Sequence, residues 1–69
     1  MPKILDVRGL PHIERPPKVM EMVSKLGKGE SFVLITEIEP LPMIGMLRQR
    51  GARCESRKVS GHWETRVTK

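Results

Sequence analysis

The chain has 69 residues, with 13 Lys and Arg against eight Asp and Glu for a net charge of +5, and one cysteine. That length holds one domain, read here as residues 1–69, and domains near this size bury only roughly 60% of their unfolded surface. An internal disulfide is excluded, no apolar run approaches the ~20 residues that cross a membrane, and neither the opening Met1-Pro2-Lys3 nor the single thiol suits secretion. We therefore expect a cytoplasmic protein.

Ile4-Leu5-Asp6-Val7 reads as a first strand, broken by Gly9-Leu10-Pro11. Glu14-Arg15-Pro16-Pro17 opens a helix, because proline is tolerated in a first turn whose N–H groups have no helical partner. Val19, Met22, Val23 and Leu26 follow at i, i+3, i+4 and i+7, the spacing of one buried stripe. Glu21 and Lys25 stand i,i+4 on the outer side, and Gly27 and Gly29 end the helix. Phe32-Val33-Leu34-Ile35 is a continuous run of β-formers and reads as a central strand.

Glu39-Pro40 starts a second helix whose stripe is Leu41, Ile44 and Leu47 with Met43 beside it. Gly45 weakens it, and close packing on the sheet would account for a glycine there. Arg48 and Arg50 fall in the last turn, where the helix dipole favours cations, and Gly51 closes it. The tail alternates: Ala52, Cys54 and Ser56 share one face, Arg53, Glu55 and Arg57 the other. Ser60-Gly61 is a hairpin signal, and Trp63, Thr65 and Val67 alternate with Glu64 and Arg66. The order β-α-β-α-β-β predicts an α/β two-layer sandwich. Its four-stranded mixed sheet has two helices on one face, a parallel first pair and a final hairpin at the antiparallel edge.

Charge is uneven. Residues 48–69 carry the whole +5, and the first 47 sum to zero. Arg48, Arg50, Arg53, Arg57 and Lys58 form a basic segment that could meet nucleic acid or steer an acidic partner; a solvated face is the plainer reading. Phe32 and Trp63 are the only aromatic residues, too few for a base-stacking platform.

Leu5-Asp6-Val7-Arg8-Gly9-Leu10, an apolar helix, then Gly29-Glu30 and an apolar strand resembles the TusA/SirA-like sulfur carriers. Their pattern is L-D-x-x-G-L-x-C-P-x-P, helix, P-G-E, strand. The match runs without gaps from Leu5 to about Ile35, and the element order extends it to the end. The carrier cysteine falls on His12 and the two prolines on Ile13 and Arg15. The resemblance implies the carriers' fold without their chemistry, because a persulfide carrier needs a thiolate at that position. The chain also resembles an uncharacterised family of small bacterial domains related to those carriers. Its first loop reads L-D-x-R-x-L-P-P-x-E-R-H-P and its second D-H-D-P-x-P-L. Here stand Leu5-Asp6-Val7-Arg8, Leu10-Pro11, Glu14-Arg15 and Pro17, then Glu37-Ile38-Glu39-Pro40 and Pro42. The family's motif histidines become Pro16 and Ile38, and its aspartates become Glu37 and Glu39.

Ligands of open α/β sheets bind beyond the carboxyl ends of parallel strands. Two loops meet there and bring Arg8, His12, Glu14, Arg15, Glu37 and Glu39 to one end. These six are the candidate partner-binding residues. The alternative is that Arg8 and Arg15 pair with Glu14, Glu37 or Glu39 and only tie the loops together. His12 with Glu14, Glu37 and Glu39 could imitate a metal or enzymatic site, but no H-x-x-x-H or C-x-x-C spacing supports it. A solvated loop histidine is the plainer reading of His12, and His62 reads as an exposed edge residue. Cys54 alternates with Ala52 and reads as a buried, inert thiol rather than a reactive one. Met20, Met22, Met43 and Met46 read as core and boundary filling. The expectation is a non-catalytic binding or adaptor module without metal or cofactor. It takes a protein partner at the two-loop end and, by family resemblance, belongs to sulfur or redox metabolism. Nucleic-acid binding by the basic segment is the other class.

Overall fold

The computed structural model describes residues 3–69. Met1 and Pro2, which enter the reading of the N-terminus and of the domain as residues 1–69, lie outside the described residues. Strand β1 spans Lys3–Asp6, helix α1 Arg15–Ser24, strand β2 Ser31–Thr36, helix α2 Leu41–Gln49, strand β3 Arg53–Val59 and strand β4 His62–Thr68. A 3-10 turn at His12–Glu14 leads into α1. The sheet order is β1-β2-β4-β3, with β1 parallel to β2 and the other pairings antiparallel. Both helices pack on one face, so the fold is a two-layer α/β sandwich.

Strand alternation decides what is buried. In β2, Phe32, Leu34 and Thr36 are buried, while Ser31, Val33 and Ile35 point to the uncovered face. The register carries this division across the sheet. Phe32 lies opposite Val67 and Leu34 opposite Thr65 on the covered side, with Val33 opposite Arg66 and Ile35 opposite Glu64 on the open side. Val19 and Leu26 from the α1 segment and Ile44 and Leu47 from α2 complete the core with Val7, Cys54 and Val67. Met20, Met22 and Met43 pack at its margin, as their helical positions led us to expect. Thr65, fully buried, shares a hydrogen bond of 2.9 Å with the Ser56 hydroxyl, so its polar atom is not stranded in the core.

Four details differ from the sequence reading. The hairpin does not lie wholly at the edge: β4 enters between β2 and β3, and β3 alone forms that edge. His62 is accordingly half-buried on an interior strand, 3.2 Å from the Glu64 carboxylate, instead of exposed. Leu41 was assigned to the buried stripe of α2, yet it is 61% exposed because it occupies the first helical position, before the helix settles on the sheet. Gly45 is not a packing glycine either: a Cβ there would meet nothing within 4 Å.

Two turns make the topology possible. Ser60 (φ 49°) and Gly61 (φ 85°) both take positive φ, the geometry of the two-residue hairpin turn whose twist matches its strands. Gly9 (φ 89°) reverses the chain immediately after β1 and sends it toward α1.

Candidate functional site

The end of the sandwich beyond the carboxyl ends of β1 and β2 is built by residues 7–14 and 36–40. Arg15, the first residue of α1, lies buried between these loops with its side chain only 10% exposed. A buried guanidinium must satisfy its donors. Nε donates to the Leu10 carbonyl at 3.0 Å, and Nη1 and Nη2 donate to the two Glu37 carboxylate oxygens at 2.6 and 2.9 Å. This bidentate pair holds the Glu37 carboxyl far below its ordinary 4.5, at about 2, with help from the backbone N–H groups of Glu37 and Gly9. Arg15 therefore clamps the first loop to the second.

Arg8 is engaged elsewhere. Asp6 points to the open face of the sheet beside Ile35, and Arg8 folds back onto it. Backbone N–H and guanidinium of Arg8 both donate to the Asp6 carboxylate, at 3.0 and 2.8 Å, and hold its pKa at about 2. Of the six candidate residues, Arg15 and Glu37 thus form one pair, and Arg8 belongs to another. Glu14 lies on the outer side of the 3-10 turn beside Pro17 and Glu21. His12 and Glu39 face each other's loops across a groove, and neither side chain has a hydrogen-bond or ion-pair partner among the described residues.

That groove is the feature the sequence reading missed. It has a volume of about 220 Å³, with a rim of His12, Pro16, Ile38, Glu39 and Pro40, Pro42 and Met43 from α2, and the almost wholly buried Val7, Val19 and Leu34 behind these walls. Its inner polar groups are already satisfied: Arg15 as described, and the Thr36 hydroxyl by donation to the Ile38 carbonyl at 2.6 Å. Among the described residues four large apolar side chains stay exposed, namely Ile4, Ile13, Ile38 and Leu41. Three of them belong to this end: Ile13 in the 3-10 turn, Ile38 on the rim and Leu41 at the start of α2. The proline run 40 and 42 and the break after β2 were visible signals for it. What hid the groove is that its walls come from two loops and the start of α2, which meet only in the fold.

The five residues of the basic segment do not form one patch. Arg48 and Arg50 at the end of α2 and Arg53 at the start of β3 lie at the far end, beside Thr68 and away from the groove. Arg57 pairs with Glu64 on the open face, and Lys58 follows it toward the hairpin turn. Arg48 also donates to the Cys54 carbonyl at 2.9 Å, partly shielding edge strand β3. Cys54 itself is 5% exposed, and burial pushes its thiol pKa up, against the demands of a reactive thiolate.

Among the described residues no group of three or more His, Cys, Asp and Glu side chains is placed to hold a metal ion, so His12 with Glu14, Glu37 and Glu39 does not converge. Among the described residues no helix is long and apolar enough to cross a membrane. Comparison with curated proteins and with solved structures finds no match. A family model described as an uncharacterized conserved protein (DUF2249) matches residues 4–69, which is nearly the whole chain, and the chain belongs to that family.

Proposed function

We propose that this protein is a non-catalytic binding module that takes a protein partner at the two-loop end. The observation that carries the reading is an apolar groove with exposed Ile38 on its rim, and exposed Ile13 and Leu41 outside it at the same end of the sandwich. Exposed apolar residues gathered around a concavity mark interaction sites, whereas scattered ones do not. The Arg15–Glu37 clamp supports the same reading by fixing both loops before a partner arrives, which lowers the ordering cost of association. Arg15 and Glu37 thus position the site, and His12, Glu39 and the apolar rim meet the partner.

The resemblance of the first loop to the TusA/SirA-like carriers supports a setting in sulfur or redox metabolism. With His12 where a carrier thiol would stand, and Cys54 buried, the reading includes no covalent sulfur transfer. A second reading is nucleic-acid binding. Its support is the run of Arg48, Arg50 and Arg53 at the far end, since phosphate contacts need only such side chains.

The test is site-specific photo-crosslinking in the native cell. A benzophenone side chain at position 38 is expected to capture a discrete protein, and the same group at position 50 is not. Capture of nucleic acid at position 50, with nothing at position 38, would reverse the order of the two readings.

A further inference from the structure

The groove's size, its chemistry and the charges around it specify what it holds. We infer that it is a socket for one bulky apolar side chain of a peptide segment, with a Lys or Arg of the same segment next to that anchor. This inference rests on the binding-module reading and goes further by naming the chemistry of the partner.

Size comes first. At about 220 Å³ the groove falls below the roughly 300–1,000 Å³ of sites that enclose a small molecule. It exceeds the ~150 Å³ cavity that accepts a benzene ring. One Leu, Ile, Met, Phe or Trp side chain therefore matches it. Chemistry narrows the choice to an apolar anchor. The inner polar groups are already engaged, Arg15 with Glu37 and the Leu10 carbonyl, Thr36 with the Ile38 carbonyl. A polar guest pushed past His12 and Glu39 to the inner end would lose its water and meet mainly apolar walls. Exposed Ile38 flanks the opening and extends the apolar contact beyond the socket.

Charge selects the neighbour of that anchor. Three titratable side chains line the groove: His12, Arg15 and Glu39. Arg15 is neutralised by Glu37, and the nearby Arg8 by Asp6, so the rim presents no free guanidinium. Glu39 is unpaired among the described residues and alone gives the groove its net negative charge, whereas Glu14, the last residue of the 3-10 turn, lies outside the groove with Lys18 beside it. The opening is therefore acidic although the whole chain carries +5. A cation beside the anchor gains from this field, and an acidic segment is repelled at the rim.

The experiment pans a phage-displayed library of random linear peptides against the full 69-residue chain, followed by amide chemical-shift mapping of the enriched peptides. We expect a consensus of one large apolar residue beside Lys or Arg, with shifts concentrated at residues 12–19 and 36–43. Replacing the anchor by Ala should weaken binding about thirtyfold. Glu39→Lys, at an exposed loop position, should weaken basic peptides severalfold. Ile38→Asp should weaken binding at least about tenfold without unfolding the domain, since Ile38 is 61% exposed. Peptides that map to the groove but lack an apolar anchor, or are acidic, would overturn this inference and leave the binding-module reading standing. Failure to enrich any peptide, or shifts confined to other surfaces, would overturn both.

Discussion

Leu34→Ala and Ile4→Ala ask whether the sheet has one covered and one open face, with core residues behind the groove's walls. Leu34 is fully buried in β2 and also lines the groove, whereas Ile4 is 58% exposed on the opposite face of adjacent β1. Removing a buried leucine side chain costs about 2–5 kcal/mol, the transfer loss plus the cavity left behind. A chain of this length has roughly 3.5–10 kcal/mol of stability in all. At ~4–8 °C per kcal/mol for a small domain, Leu34→Ala lowers Tm by at least about 8 °C. At the upper end of the range little folded protein remains. Ile4 has about two-fifths of its surface covered, so its truncation forfeits roughly 0.6–1.3 kcal/mol of the 1.5–3 available to a fully buried side chain. Thermal and urea unfolding followed by circular dichroism, with Trp63 fluorescence as a second probe, measures both. Equal losses, or a larger loss for Ile4→Ala, would refute the assignment of faces on which the groove depends.

Four further outcomes follow from the same geometry. Gly45→Ala should raise stability by about 0.8–1.0 kcal/mol in urea titration, because the position is helical with open space where the methyl would go. Gly9→Ala should lower it by about 1–2 kcal/mol in the same assay, since φ is 89° and the cost is purely conformational. Glu37, held at about 2 against an ordinary 4.5, contributes stability that is complete above pH 4.5 and is lost as pH falls toward 2. Tm should therefore drop through that window, and the drop should be shallower in Glu37→Gln. Cys54 should resist alkylation in the native protein and react once it is unfolded in guanidinium, a contrast that mass spectrometry reads directly.

Much of the fold was legible because single residues dominate local choices. Ser60-Gly61 signalled a tight hairpin and the unbroken apolar run Phe32-Val33-Leu34-Ile35 a central strand, and both stand so in the fold. The alternation of Cys54 with Ala52 gave its burial correctly. Periodicity failed at element ends. Leu41 fits the stripe of α2 by spacing but sits before the helix reaches the sheet; Leu26 is buried as its spacing predicts, although α1 ends at Ser24 and not at the glycines. The interior place of β4 was hidden because alternation fixes a strand's faces and says nothing about which neighbour it chooses. At the candidate site, sequence gave the loops and their charges. It could not tell that Arg15 would turn inward to Glu37 while Arg8 turned to Asp6 on the open face, since both follow strand and turn residues of similar character. The split of the basic segment has the same origin: Arg53 and Arg57 share a face of β3, but the strand is long enough to put them near opposite ends.

The central claim is that the groove end binds and the basic end at most steers. Association and dissociation rates of a captured partner, measured across a salt series for Ile38→Asp and for the double variant Arg50→Glu, Arg53→Glu, test it most directly. Ile38→Asp should accelerate dissociation at every ionic strength. The double variant should slow association at low salt, and its effect should fade where the Debye length falls to ~8–10 Å. Unaltered binding by Ile38→Asp, together with loss of binding by the double variant at high salt, would contradict the claim and move the site to the far, basic end of the molecule.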